Sequence, residues 1–242
     1  MNVRKLGAGV FAVVALVAVM VSAVAVAATR TGDGTAGTSS IHDHQSHAGA
    51  MSAGAAQRCN TRAAANLRVT LDRLLGEHAL LAIAATQRGL QGGKEFPAIA
   101  AKLDENSVQL GNAIGSVYGR AARNQFLNGP FMWRAHIRFF VDYTTAKAKN
   151  DAAGQRRAVG NLRTYVGATS NFFAKATGLP QRALAASITT HVMQLKGQLD
   201  AFATGNYARS YRLSRAAYAH MFMTGDALSG AIAQKFPRKF GC

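Results

Sequence analysis

The chemistry in this chain is concentrated in seven histidines, and these fall into two sets. Three stand close together as His42-Asp43-His44-Gln-Ser-His47, with Met51 a few residues on. The other four, His78, His136, His191 and His220, are widely spaced. Neutral imidazole is the commonest metal ligand in proteins, so each set is a candidate site. The first resembles the soft capture tracts of His-rich segments, where easy exchange suits capture or delivery; a polar tail with chance histidines is the other reading. Around the second set, Met132 lies four residues before His136 and Met223 three residues after His220. On a helix these pairs share a face. Thioether with imidazole suits copper, Cu(I) above all, and also the axial positions of haem. Glu77, Asp104 and Glu105 are the nearby carboxylates that can add an oxygen ligand or orient an imidazole.

Several other chemistries lack their signatures. The chain has no paired Glu-x-x-His for a di-iron centre, no Cys-x-x-Cys-His for covalent haem and no His-Glu-x-x-His for a zinc protease. Gly92-Gly93-Lys94 lacks the spacing of a phosphate loop, and no nucleophile, base and oxyanion donor assemble along the chain. The expectation is a binding protein and not an enzyme. Two readings of the helical histidines stay open: a metal or haem site in a helix bundle, or core histidines that hydrogen-bond across their hairpins.

The elements that must position these side chains are helices. From about residue 62 to 236, apolar residues recur at three and four, as in Leu67, Leu71, Leu74, Leu75, His78 and Leu81, and no comparable stretch alternates at two. Gly89 to Gly93, Asn150 to Gly154 and Gly205-Asn206 interrupt the pattern, while Gly119, Gly129-Pro130 and Gly178-Leu179-Pro180 separate larger blocks. This predicts an all-α fold: about six helices in three antiparallel hairpins, near 62–119, 130–177 and 180–235. The hairpins read as a repeat. His136 follows His78 by 58 residues, and His191 follows by a further 55. Asn106, Tyr165 and His220 then fall 28, 29 and 29 residues after the three histidines. His191 and His220 flank Gly205 at similar distances, which puts both about 21–23 Å from the turn and level with each other.

Ahead of the helices, Met1 to Lys5 is basic, Leu6 to Ala28 is uncharged and Ala25-Val26-Ala27 is a small-x-small site. That pattern is a secretory signal over 1–27, with an uncleaved anchor as the alternative. Residues 28–58 are dominated by Gly, Ala, Ser and Thr and are expected to be a flexible linker before a helical domain at 59–242. The expected location is therefore secreted or extracytoplasmic, or tethered to the membrane. Cys59 and Cys242 are the two cysteines; in an oxidising compartment they suggest one disulfide, and two unpaired thiols are the alternative. Lys+Arg 28 against Asp+Glu 11 gives a formal net charge of +17. Outside the cytoplasm this favours anionic cell-wall polymer or a phospholipid surface as partner, with no motif for specific nucleic acid binding. Arg209, Arg212 and Arg215, beside Tyr207, Tyr211 and Tyr218, read as a solvated basic stripe.

Several phrases carry a resemblance: Leu-Leu-Gly-Glu77-His78, Leu103-Asp104-Glu-Asn106-Ser, Trp133-Arg-Ala-His136-Ile-Arg-Phe-Phe-Val-Asp142, Thr177-Gly-Leu-Pro180 and His220-Met221-Phe-Met223-Thr. Over roughly 62–240 the chain resembles a family of secreted bacterial all-helical domains sometimes found beside a copper amine oxidase N-terminal-like module. The resemblance implies a secreted helical domain and brings no defined activity. An amine oxidase would need copper and a topaquinone made from a tyrosine on a β-sandwich, and no such pattern is present, so oxidase activity does not follow. The combined expectation is an exported metal-binding protein, copper favoured, with a bundle site from His78, His136, His191 and His220 and a linker site from His42, His44 and His47. A basic envelope-associated interaction module and a haem-binding bundle are the alternatives.

Overall fold

The computed structural model describes residues 59–242. The signal or anchor expected at 1–27, the linker at 28–58 and its histidines His42, His44 and His47 lie outside the described residues. Among those described there is no strand, and the helices are α1 (Arg62–Gln91), α2 (Phe96–Tyr118), α3 (Arg120–Asn128), α4 (Trp133–Ala148), α5 (Ala152–Thr177), α6 (Gln181–Ala203), α7 (Tyr207–Lys235) and the single turn α8 (Pro237–Phe240). The all-α expectation holds. No helix among the described residues is long and apolar enough to cross a membrane.

Local chemistry sets the helix ends. The Thr61 hydroxyl accepts from the backbone N–H of Ala64, the Asp151 carboxylate from Gly154 and the Asn206 side-chain oxygen from Arg209. Each satisfies one of the N–H groups that a first helical turn leaves without a partner. Gly92 and Gly178 end α1 and α5 with φ of 67° and 83°, the left-handed conformation that a residue without Cβ takes at little cost.

The three hairpins are α1–α2, α4–α5 and α6–α7. Their first helices, α1, α4 and α6, all touch one another and form an inner layer. The second helices flank them: α2 packs on α1, α5 on α4 and α6, and α7 on α6 and α1. The last hairpin thus packs back on the first, and the repeat closes into a bundle. The part not foreseen is α3. Its sequence, Arg-Ala-Ala-Arg-Asn-Gln-Phe-Leu-Asn, is short and polar, and Phe126 and Leu127 are its buried residues. It wedges between α2 and α4 because Gly111 lets Leu127 come close: a Cβ on Gly111 would stand 2.6 Å from a Leu127 methyl carbon.

Two features fix the ends of the inner helices. Cys59 and Cys242 form the expected disulfide, with Cα atoms 5.4 Å apart across 183 residues of chain. Beside it the Thr61 hydroxyl donates to the Phe240 carbonyl. Toward the far end of α6, the fully buried Gln198 amide donates to Thr86 Oγ1 at 3.0 Å and accepts from Gln87 at 3.1 Å, tying α6 to α1. Tyr143 ties α4 to α6 through a 2.7 Å bond from its hydroxyl to Asp200, which also pairs with Lys196 and Lys147.

Replacing either cysteine by serine is expected to cost about 3–5 kcal/mol, since the bond closes a very long loop; denaturant unfolding with and without reductant measures it. Gly111→Ala is expected to destabilise by about 1–3 kcal/mol through overpacking against Leu127. An unchanged denaturant midpoint for that variant would mean that α3 is not held at this close approach.

Candidate functional site

Helix period and hairpin register bring three of the four helical histidines to one place. His78, His136 and His191 sit at one level on α1, α4 and α6, at 1, 1 and 5 % exposure. The His78 ring centroid is 5.4 Å from that of His136 and 5.9 Å from that of His191. Trp133, one turn before His136, packs against both neighbours, 4.6 Å from His78 and 4.9 Å from His136. Tyr165 stacks on the other side of His136 at 4.4 Å with planes 16° apart. Trp133 is itself anchored, its indole N–H donating to Ser107 Oγ at 3.1 Å, and that hydroxyl donates to Leu103 O.

The second helices hold this layer from behind, and they do so in register. Asn106 donates to the carbonyl of Leu74, four residues before His78, at 2.9 Å. His220 Nε2 lies 2.9 Å from the carbonyl of Ser187, four residues before His191, and 3.0 Å from the Ser187 hydroxyl. Donation to a carbonyl requires the Nε2–H form of His220. In the middle hairpin the corresponding residue before His136 is Met132, whose sulfur accepts from Thr169 at 3.7 Å, and Tyr165 stacks its ring on His136. Two of the three repeats therefore grip the same backbone position.

Of the expected set of four, three rings share the layer. His220 belongs to the supporting layer, bonded to Ser187. Met132 is buried beside the layer. Met221 is buried and lines a small cavity, about 60 Å³, together with His191 and Tyr165; Met223 is only partly buried and does not line it. The nearby carboxylates are turned elsewhere: Glu77 accepts from Asn106 and pairs with Arg73, Asp104 pairs with Arg134, and Glu105 with Lys102. Trp133 was not foreseen as part of the site, although its i−3 spacing from His136 places it on the same helix face.

The electrostatics are those of three imidazoles kept uncharged. Burial lowers the pKa of His78 well below the ordinary value, and His136 adds to this. His136 is lowered to about 3 by burial and by His191, against a smaller opposing effect of the Trp133 backbone. His191 is lowered well below its ordinary value by burial and by His78 and His220. Both ring nitrogens of His78, both of His191 and Nδ1 of His136 are buried without a hydrogen-bond partner. These are five of the eight such side-chain atoms among the described residues. A buried polar atom without a partner costs about 1–3 kcal/mol, so a cluster of them on three neighbouring side chains calls for a water or an ion. As the side chains stand, no group of three or more His, Cys, Asp or Glu among the described residues is arranged around one ion.

A cleft of about 350 Å³ leads to this layer from the end of α1 that adjoins α2. Its walls are mostly apolar, including Ala82, Ala85, Phe96, Ile137 and Phe140, and His78 and His136 line it. Comparison of the chain with protein-family models, with characterised proteins and with solved structures gives no match.

The lowered pKa values fix the sign of a pH dependence. Unfolded histidines take up protons near pH 6.5, whereas the buried three resist, so stability is complete above about pH 6.5 and falls as the pH drops toward the folded-state values. Each histidine then costs about 1.4 kcal/mol per pH unit. Denaturant midpoints of metal-free protein should fall between about pH 7 and pH 5, and less so in His136→Phe. Equal pH slopes for the two proteins would show that His136 is not buried in its neutral form.

Proposed function

We propose that this is an exported metal-binding protein, copper favoured, whose principal site is the His78–His136–His191 layer. The observation that carries the reading is the clustering of three uncharged, buried imidazoles, five of whose six ring nitrogens are buried without partners. An imidazole must be neutral to ligate, and here burial supplies that state without a pH cost at neutrality. The donor set fits a borderline-soft ion: three nitrogens, the thioethers of Met132 and Met221 close by and no carboxylate turned inward. To converge on one ion the rings must turn about their side-chain torsions. Trp133 and Tyr165 limit that turning, and the hydrogen bonds of Asn106 and His220 hold the helix backbones behind it. When bound, copper would supply affinity for electron-rich ligands or a redox couple. The residues named here bind it, orient it and keep bulk water away. Trp133 and Tyr165 pack directly against His136, which favours an ion over haem there.

Export is supported by the N-terminal pattern of the sequence and by the Cys59–Cys242 pair, since disulfides persist in oxidising compartments. Capture by His42, His44 and His47 followed by transfer into the bundle completes this reading. The protein acts as a binder and not as an enzyme. A second reading, a basic envelope-associated interaction module, rests on the net charge of +17 and on the exposed Tyr207, Tyr211 and Tyr218 among the arginines of α7. Under it, binding to anionic wall polymer or phospholipid surface is salt-sensitive and independent of metal.

Trp133 is the chain's single tryptophan and touches two of the proposed ligands, so its fluorescence reads the site directly. Titration of residues 28–242 with Cu(I), Cu(II) and Zn(II) should quench or shift Trp133 at one ion per bundle, and a chain shortened to start at Gln57 should do the same. His78→Ala and His191→Ala should each weaken that binding by about tenfold or more. Binding lost with residues 28–56, or unchanged in both variants, would remove the bundle site; salt-sensitive polymer binding without any metal uptake would put the second reading in its place.

A further inference from the structure

The cleft above the histidine layer has a chemistry of its own. At about 350 Å³ it lies in the size range of small-molecule pockets, roughly 300–1,000 Å³. Its walls come from four places: the C-terminal half of α1, the start of α2 with Phe96 and Pro97, one face of α4, and Leu195 of α6. No carboxylate lines it, and its one cation is Lys94. Two of its polar side chains are already occupied. The Thr86 hydroxyl donates within α1 and accepts from Gln198, and Thr144 donates to Phe140 O. The buried polar atoms left without partners in the lining residues are both ring nitrogens of His78 and Nδ1 of His136, both side chains being 1 % exposed.

A neutral imidazole offers one N–H and one lone pair. Two of them beside an apolar cleft, once their rings turn toward it, offer a donor and an acceptor together. The complementary head group is one that donates and accepts through a single small atom, which is a hydroxyl. An ionised head would lose its hydration here and meet no opposite charge at the floor. We propose that this cleft binds a small uncharged molecule of the phenol class, its apolar body against Phe96, Ile137 and Phe140 and its hydroxyl on His78 and His136. This inference stands apart from the metal reading and applies to the metal-free protein.

The test uses the full chain in the presence of a chelator, with para-ethylphenol as ligand and para-ethylanisole as the matched ether whose oxygen cannot donate. Trp133, in contact with both histidines, reports occupancy, and calorimetry gives affinity without relying on it. The phenol should bind saturably, about tenfold or more tighter than the ether, the discrimination expected when a buried hydrogen-bonding site meets a ligand lacking the donor. Ala82→Phe, which fills the cleft without altering an imidazole, should abolish phenol binding while copper still quenches Trp133. No saturable binding of the phenol, equal binding of phenol and ether, or phenol binding undisturbed by Ala82→Phe would each overturn the proposal. Loss of copper binding in the wild-type chain would sink the metal reading alone and leave this one standing.

Discussion

Burying three uncharged imidazoles side by side is the constraint to which the rest of this structure answers. Each ring costs free energy there unless a partner meets its nitrogens, and charging any one of them costs more because the others are close. A fold can hold such a cluster only if the surrounding backbone is fixed. The repeat supplies this fixing: Asn106 and His220 grip equivalent carbonyls one turn before His78 and His191. In the middle repeat, Tyr165 packs flat on His136 and Trp133 closes the remaining side.

The closure of the bundle serves the same layer. With α1, α4 and α6 inside and α7 packed back on α1, His78 meets both His136 and His191 across helix–helix contacts and none of the three faces solvent. The disulfide joins the chain just before α1 to its end just after α8, so the two ends of the ring are held covalently where the packing alone closes it. Polar ties at Gln198 and Tyr143 link the inner helices away from the histidines, which leaves the imidazoles as the principal unmet polar groups of the interior.

Much of this was legible from the residues. The 3.6-residue period, the Gly and Pro breaks and the regular spacing of His78, His136 and His191 define helices, hairpins and a shared level, because all three follow from local geometry. What was not legible depends on rotation and on packing between distant segments. His220 sits at the right height, yet its Nε2 bonds to Ser187 behind His191. Met221 and Met223 differ by two residues, some 200° around a helix, and the structure turns Met221 to the cavity beside His191. Nothing in the polar sequence of α3 announces that Leu127 will dock on Gly111. The cleft was invisible for a like reason, since its walls come from four helices.

The central claim, that His78, His136 and His191 form a neutral imidazole site which an ion completes, is tested most directly by long-range nitrogen–proton NMR of the histidine rings, recorded with and without Cu(I). Neutral signatures are expected for all three rings at neutral pH in the metal-free protein. One nitrogen of each should then shift on loading, while His220 keeps its Nε2–H form. Rings that are charged without metal, or that remain unmoved while Cu(I) is taken up elsewhere, would contradict it.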